Sequence, residues 1–71
     1  MRQLIVGRYY RHFKGEVYFV LGTATDAETG NLVVIYQKGR KFVRPYDSFM
    51  SKVDHNKYPD SKKYYRFTLV R

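Results

Sequence analysis

Short runs in which apolar and polar residues take turns follow one another along the chain, and clusters of Gly, Pro, Asn and Asp divide them. A period of two, in segments rich in Val, Tyr, Phe and Thr, is the pattern of strands, and no window holds a sustained helical period. The first strand is expected over residues 8–13. It sets Tyr9, Arg11 and Phe13 on one face and Tyr10, His12 and Lys14 on the other, because successive side chains point to opposite sides. Lys14-Gly15 then turns the chain, with glycine supplying the backbone freedom. The second strand is expected over residues 17–25, with Tyr18, Val20, Gly22 and Ala24 on one face and Val17, Phe19, Leu21 and Thr23 on the other. Both faces are thus largely apolar. Gly22 suggests a bend or a close backbone approach of the kind that barrel closure requires.

Residues 26–31 read as a loop, and residues 32–37, almost wholly apolar, as a central strand. Lys38-Gly39-Arg40 leads into a short strand over residues 41–44, which Pro45 stops. Residues 46–50 fit one helical or 3₁₀ turn, with Asp47 or Ser48 near its start and Phe49 facing inward. A brief strand at Val53, a polar loop over residues 54–63 and a last strand over residues 64–70 complete the chain. The expected fold is all-β, one domain over residues 1–71 with five or six short strands. A small closed barrel is the economical arrangement, because closure removes exposed edges.

Composition narrows the stabilising forces. A chain of 71 residues supports only a small core, and with no cysteine it has neither disulfides nor thiolate metal sites to reinforce it. Eight tyrosines and five phenylalanines supply the packing instead. Absence of disulfides favours an intracellular setting. Leu4, Ile5 and Val6 are too short an apolar run for a signal-peptide core, and no segment is long enough to span a bilayer, so the expected location is cytoplasmic with no membrane partner.

The net charge is +8, from 14 basic and 6 acidic residues, unevenly spread. Residues 1–15 and 31–45 contain bases and no acid, whereas residues 16–30 hold Glu16, Asp26 and Glu28. Such a surface attracts polyanions. It also keeps a small aromatic-rich protein soluble, and composition alone does not separate these two roles.

Several ordered pieces of the sequence are similar to a known family. Tyr10-Arg11-His12-Phe13-Lys14-Gly15 resembles the opening motif of the bacterial "domain of unknown function 1653" family, and Tyr18, Val20, Leu21 and Gly22 continue the likeness. Glu28-Thr29 falls where that family has a Glu-Thr pair, and Val34-Ile35-Tyr36 resembles its central strand. Val43-Arg44-Pro45 with Phe49, and then Arg66-Phe67, resemble its later signatures. The likeness spans about residues 7–68. It implies an SH3-like barrel and no particular activity. Two features depart from the family pattern: a shorter turn at Lys38-Gly39-Arg40, and Phe19 where a polar residue is more usual.

Two groups of residues stand out as candidate sites. Tyr10, His12, Lys14, Glu28, Tyr36 and Arg44 form the first. If the Glu28 loop folds over His12 and Lys14, they form a pocket for a small polar or anionic ligand, with Arg44 gripping a carboxylate or phosphate. The alternative is that these side chains bond to one another and fix the shape of the barrel. The second group interleaves bases with rings: Arg8, Arg11, Lys41, Lys62, Lys63, Tyr65 and Arg66, with Lys14 and Arg44 adding charge and Tyr10 or Tyr65 as stacking rings. Bases meet phosphates, and exposed rings stack on unpaired nucleobases. Strand alternation also produces such a mixture from core rings and solvated charges. Phe19, Leu21 and Tyr46 offer a surface for a protein partner instead.

An enzyme is not expected. His12 has only His55 as a second histidine, no cysteine is available, and Ser48, Ser51 and Ser61 fall in turns. Asp26, Glu28 and the two histidines do not make a metal set, and the five scattered glycines form no phosphate loop, so neither metal nor cofactor is expected. The sequence therefore points to a binding module for nucleic acid, or alternatively for a protein or small anion.

Overall fold

Five strands and one helical turn succeed one another in the computed structural model, which describes residues 2–71: β1 Tyr9–His12, β2 Val17–Thr25, β3 Leu32–Lys38, β4 Arg40–Pro45, α1 Tyr46–Phe49 and β5 Phe67–Leu69. The strands form one antiparallel sheet in the order β4-β3-β2-β1-β5. β-branched and aromatic residues dominate β2 and β3, whose paired surfaces suit them. The helical turn follows Pro45, whose side chain makes no capping bond, and places Phe49 in the core. The expected strand at Val53 is a single bridge, Lys52 to Tyr65, although Val53 itself is buried.

Hairpin chemistry sets the register. At the β1–β2 turn, Gly15 has φ +109° and its N–H donates to the His12 carbonyl at 2.8 Å. In the β2–β3 loop, the Asp26 carboxylate accepts from the N–H groups of Glu28 and Thr29 at 2.9 and 3.2 Å, an Asx-type turn. Gly30, at φ +75°, then brings its N–H to the Asp26 carbonyl at 2.8 Å.

A bulge interrupts the alternation of β2. The pairing steps from Val20 opposite Tyr36 to Gly22 opposite Ile35, leaving Leu21 as the extra residue. Directly paired residues share a face, so Thr23, not Gly22 or Ala24, lies opposite the buried Val34. The expectation that Val20, Gly22 and Ala24 line one face therefore fails at Leu21. The bend expected near Gly22 is this bulge. A close approach is not its cause, since a Cβ placed on Gly22 meets nothing within 4 Å.

The sheet coils until its ends meet through side chains. Tyr36 of β3 and Phe67 of β5 are three strand spacings apart in the sheet order, about 14 Å if it were flat. Their ring centroids lie 5.6 Å apart. Phe49 of α1 fills the gap, 5.3 Å from Tyr36 and 4.0 Å from Phe67. Tyr10, Val20 and Val34 complete this cluster, and no polar or charged residue is buried among the described residues. Closure thus comes from rings and α1, while β4 and β5 remain the ends of the ladder.

Candidate functional site

Two surfaces follow from the register. The inner face carries Tyr10, His12, Tyr18, Tyr36, Arg44 and Phe67, and its rim is cationic. His12 pairs with Phe67, and their rings meet edge to face at 4.9 Å. The Arg44 guanidinium lies 5.9 Å from the same Phe67 ring. Its Nε donates to the Tyr36 hydroxyl at 3.3 Å and its Nη1 to the Ser48 hydroxyl at 3.1 Å. Arg66, one residue before Phe67, donates from Nε to the Ser51 hydroxyl at 3.1 Å. The Ser51 hydroxyl in turn donates to the Ser48 carbonyl at 2.6 Å. Two arginines are therefore held by two serines that are themselves joined.

Electrostatics on this rim are one-sided. Partial burial and the charges of Arg44, Arg66 and Lys14 hold His12 below the usual histidine range, against a smaller opposing pull from Glu16. The His12 Nδ1 accepts from the Lys14 N–H at 3.2 Å, which puts the proton of the neutral ring on Nε2. Glu16 is engaged by Lys38 at 3.1 Å, the one ion pair among the described residues, and Lys38 holds its carboxyl below the ordinary range. The Lys14 ammonium sits 4.9 Å from the Tyr58 ring centroid and lowers the pKa of that phenol.

The outer face is built differently. Tyr9 pairs with Phe19, Phe19 with Gln37, and Gln37 with Lys41, so these four residues form one row across four strands. The Tyr9 and Phe19 rings meet edge to face at 5.0 Å, and Tyr9 remains 55 % exposed. Arg11 pairs with Val17 on one side and Thr68 on the other, in the next row. Beyond the bulge, Gly22, Ile35 and Val43 form a further row, with Val43 66 % exposed. An open groove lined by Arg11, His12, Lys63, Thr68 and Val70 runs along the β1–β5 side. None of the five strands contains an acidic residue.

Of the residues singled out from sequence, the structure brings His12, Lys14, Tyr36 and Arg44 to the inner rim, with Arg66 beside them. Glu28 is not among them. It lies at the tip of the β2–β3 hairpin, the nine-residue length of β2 away from His12, and its loop is closed by Asp26. Arg11, Lys41 and Lys63 border the outer face; Arg8 and Lys62 are exposed nearby in sequence. Tyr10 is not a stacking ring: it is 2 % exposed, and its hydroxyl accepts from the Ile5 N–H at 3.0 Å. Tyr65 is covered as well, because the Arg2 guanidinium lies 3.8 Å above its ring and donates to the Met50 carbonyl. Sequence reasoning missed Tyr9 as an exposed ring on the outer face, with Tyr64 the other ring exposed to the same degree, and Ser48 and Ser51 as the arginine anchors. Alternation held the signal for Tyr9, since the residue next to a core tyrosine on a strand points outward.

Fold and surfaces together define a small all-β domain with a basic aromatic outer face and a cationic inner rim. The family model described as "Protein of unknown function (DUF1653)" matches residues 8–69, which include all five strands and α1, and the chain belongs to that family. No curated protein and no solved structure gives a match. Among the described residues no helix is long and apolar enough to cross a membrane.

Proposed function

We propose that this domain is a non-catalytic, cytoplasmic binding module that holds single-stranded nucleic acid on the outer face of its sheet. The observation that carries the reading is the cross-strand row Tyr9–Phe19–Gln37–Lys41 with Arg11 beside it. Tyr9 offers a ring at the surface, Phe19 props it edge-on, and Gln37 supplies an amide for hydrogen bonds to base edges. Arg11, Lys41 and Lys63 flank the rings where phosphates of a strand crossing the sheet would run. Base stacking on an exposed ring suits unpaired bases, because a duplex keeps its base faces covered.

The test is fluorescence anisotropy with labelled single-stranded RNA, single-stranded DNA and duplex DNA, at low and near-physiological salt. A Tyr9→Ala variant and an unrelated protein of equal net charge run beside the wild type. Binding that prefers a single strand, survives physiological salt and weakens in Tyr9→Ala supports the reading. Binding that disappears with salt and matches the control leaves only non-specific charge attraction and overturns it.

A further inference from the structure

The inner rim lies on the other face of the sheet from the row Tyr9–Phe19–Gln37–Lys41, and its chemistry is different. The His12 ring meets Phe67 at 4.9 Å, the Arg44 guanidinium lies 5.9 Å from the same ring, Arg66 is tied through Ser51 to the Ser48 turn that holds Arg44, and Lys14 donates its N–H to His12. A partly desolvated cation with no counter-charge is costly to hold in place. Here both guanidiniums are held by neutral hydroxyls, those of Tyr36, Ser48 and Ser51. Hydroxyls fix the position of a guanidinium and leave its charge in place. Glu16, the carboxylate that acts on His12, is already engaged by Lys38, and neither arginine forms an ion pair among the described residues. The Arg66 bond uses only Nε, so among the described residues neither of its terminal nitrogens has a hydrogen-bond partner, and Arg44 Nη2 has none. The two terminal nitrogens of Arg66 remain a fork of the kind that grips two oxygens of one anion, and Arg44 Nη2 offers a further donor.

From this geometry we infer that Arg44 and Arg66, fixed by Ser48 and Ser51 and joined by Lys14 and the Nε2–H of His12, form a site for a phosphoryl dianion. The Tyr36–Arg44 and Ser51–Arg66 bonds preorganise the donors, so the anion meets a rigid fork rather than two mobile side chains. A free small phosphate and the terminal phosphate of a nucleic-acid strand share this chemistry.

Nuclear magnetic resonance on the intact chain tests it directly. The Nε–Hε signals of Arg44 and Arg66 are followed while inorganic phosphate replaces chloride at constant ionic strength and near-neutral pH. The expected result is a saturable shift of both signals, with affinity about tenfold weaker in Arg66→Gln and within about twofold of wild type in Arg71→Gln, an exposed base beyond β5 with no place in either surface. Bound phosphate should also raise the pKa of His12, by offsetting the repulsion from Arg44, Arg66 and Lys14 that outweighs the pull of Glu16. A merely structural role for the arginines leaves that pKa unmoved by phosphate. A response that does not saturate, that chloride reproduces, or that persists unchanged in Arg66→Gln overturns the site. Oligonucleotides with and without a 5′-phosphate then separate the two sources: a shift confined to the phosphorylated strand assigns the site to a strand end, and one seen with inorganic phosphate but neither strand assigns it to a small phosphate. Arg66 is half-exposed and outside the buried cluster, so its substitution leaves the core rings in place.

Discussion

Phe49 and Phe67 lie face to face, with ring centroids 4.0 Å apart and planes within 6° of parallel. One ring comes from the single helical turn and the other from the last strand, elements that share no backbone ladder. This contact holds the coiled sheet shut. The residues that position the arginines, Ser48 and Ser51, flank Phe49 in sequence, and Arg66 precedes Phe67. The core stack and the cationic rim are therefore parts of the same junction.

Removing that stack should unfold the domain. Phe49→Ala is expected to lose about 3–5 kcal/mol, which approaches the whole stability of a small domain. Phe49→Leu keeps most of the volume and should lose less than about 2 kcal/mol. Urea unfolding followed by circular dichroism distinguishes them, and a Phe49→Ala protein that unfolds at nearly the wild-type midpoint would refute the role given to the stack.

Neighbouring tyrosines of β1 should behave in opposite ways. Tyr9 is exposed on the outer face and Tyr10 is buried. Tyr9→Ala should change stability by less than about 1 kcal/mol. It should weaken single-strand binding by about 1–3 kcal/mol, roughly 5- to 150-fold. Tyr10→Ala should fail to fold, so loss of binding in that variant carries no information about the surface. Melting curves recorded beside the anisotropy titrations check both halves.

Two glycines should likewise separate. Gly30 has φ +75°, where a side chain is strained whatever space surrounds it, and Gly30→Ala should be destabilising by about 1 kcal/mol. Gly22 has ordinary backbone angles and open space around it, so Gly22→Ala should be neutral or mildly stabilising, by up to about 1 kcal/mol. Equal losses at the two positions in thermal unfolding would contradict the placement of the bulge.

Stability should fall on mild acidification through His12. Burial and the nearby cations lower its pKa in the folded protein, so the unfolded chain takes up the proton first. The contribution of His12 is fully present above its unfolded value, about 6.5, and declines as the pH falls from there through the lowered folded value. Protonation of Nδ1 also removes the acceptor for the Lys14 N–H. Denaturation midpoints from neutral pH down to about 5 should therefore decline less steeply in His12→Gln than in wild type. Parallel slopes would show that His12 titrates freely.

Removal of one hydroxyl tests the anchoring of Arg44. Tyr36→Phe preserves the ring that packs against Phe49 and Phe67 and deletes only the acceptor 3.3 Å from Arg44 Nε. The expected loss is about 0.5–1.5 kcal/mol in urea unfolding, together with a displaced Arg44 Nε–Hε signal. An unshifted signal would mean that Ser48 alone fixes the guanidinium.

Much of the architecture was legible in the chain itself. Period-two alternation and turn residues located β1, β2, β3 and the last strand to within a few residues, and placed Phe49 inward in a helical turn after Pro45, because side-chain direction on a strand and proline's fixed φ are local properties. Alternation also put His12 on the side of Tyr10, where the register has it, whereas Lys14 falls in the turn beyond β1 with its ammonium over the Phe13 and Tyr58 rings. What local pattern did not reveal was the extra residue at Leu21. A bulge depends on how two strands pair, and it reversed the facing of every β2 position after it.

The candidate sites divide along the same line. Sequence by itself determined that bases and rings would be interleaved, that no thiol chemistry was available, and that residues 1–15 and 31–45 would carry bases and no acid. Only the tertiary structure decided which ring was exposed, that Arg2 covers Tyr65, that Glu28 stands a strand's length from His12, and that Arg44 and Arg66, distant in sequence, share one pair of serines. The physical reason is that a strand prescribes the two sides of its own ribbon, whereas the coiling of the sheet, set by how the core rings pack, selects which distant side chains meet.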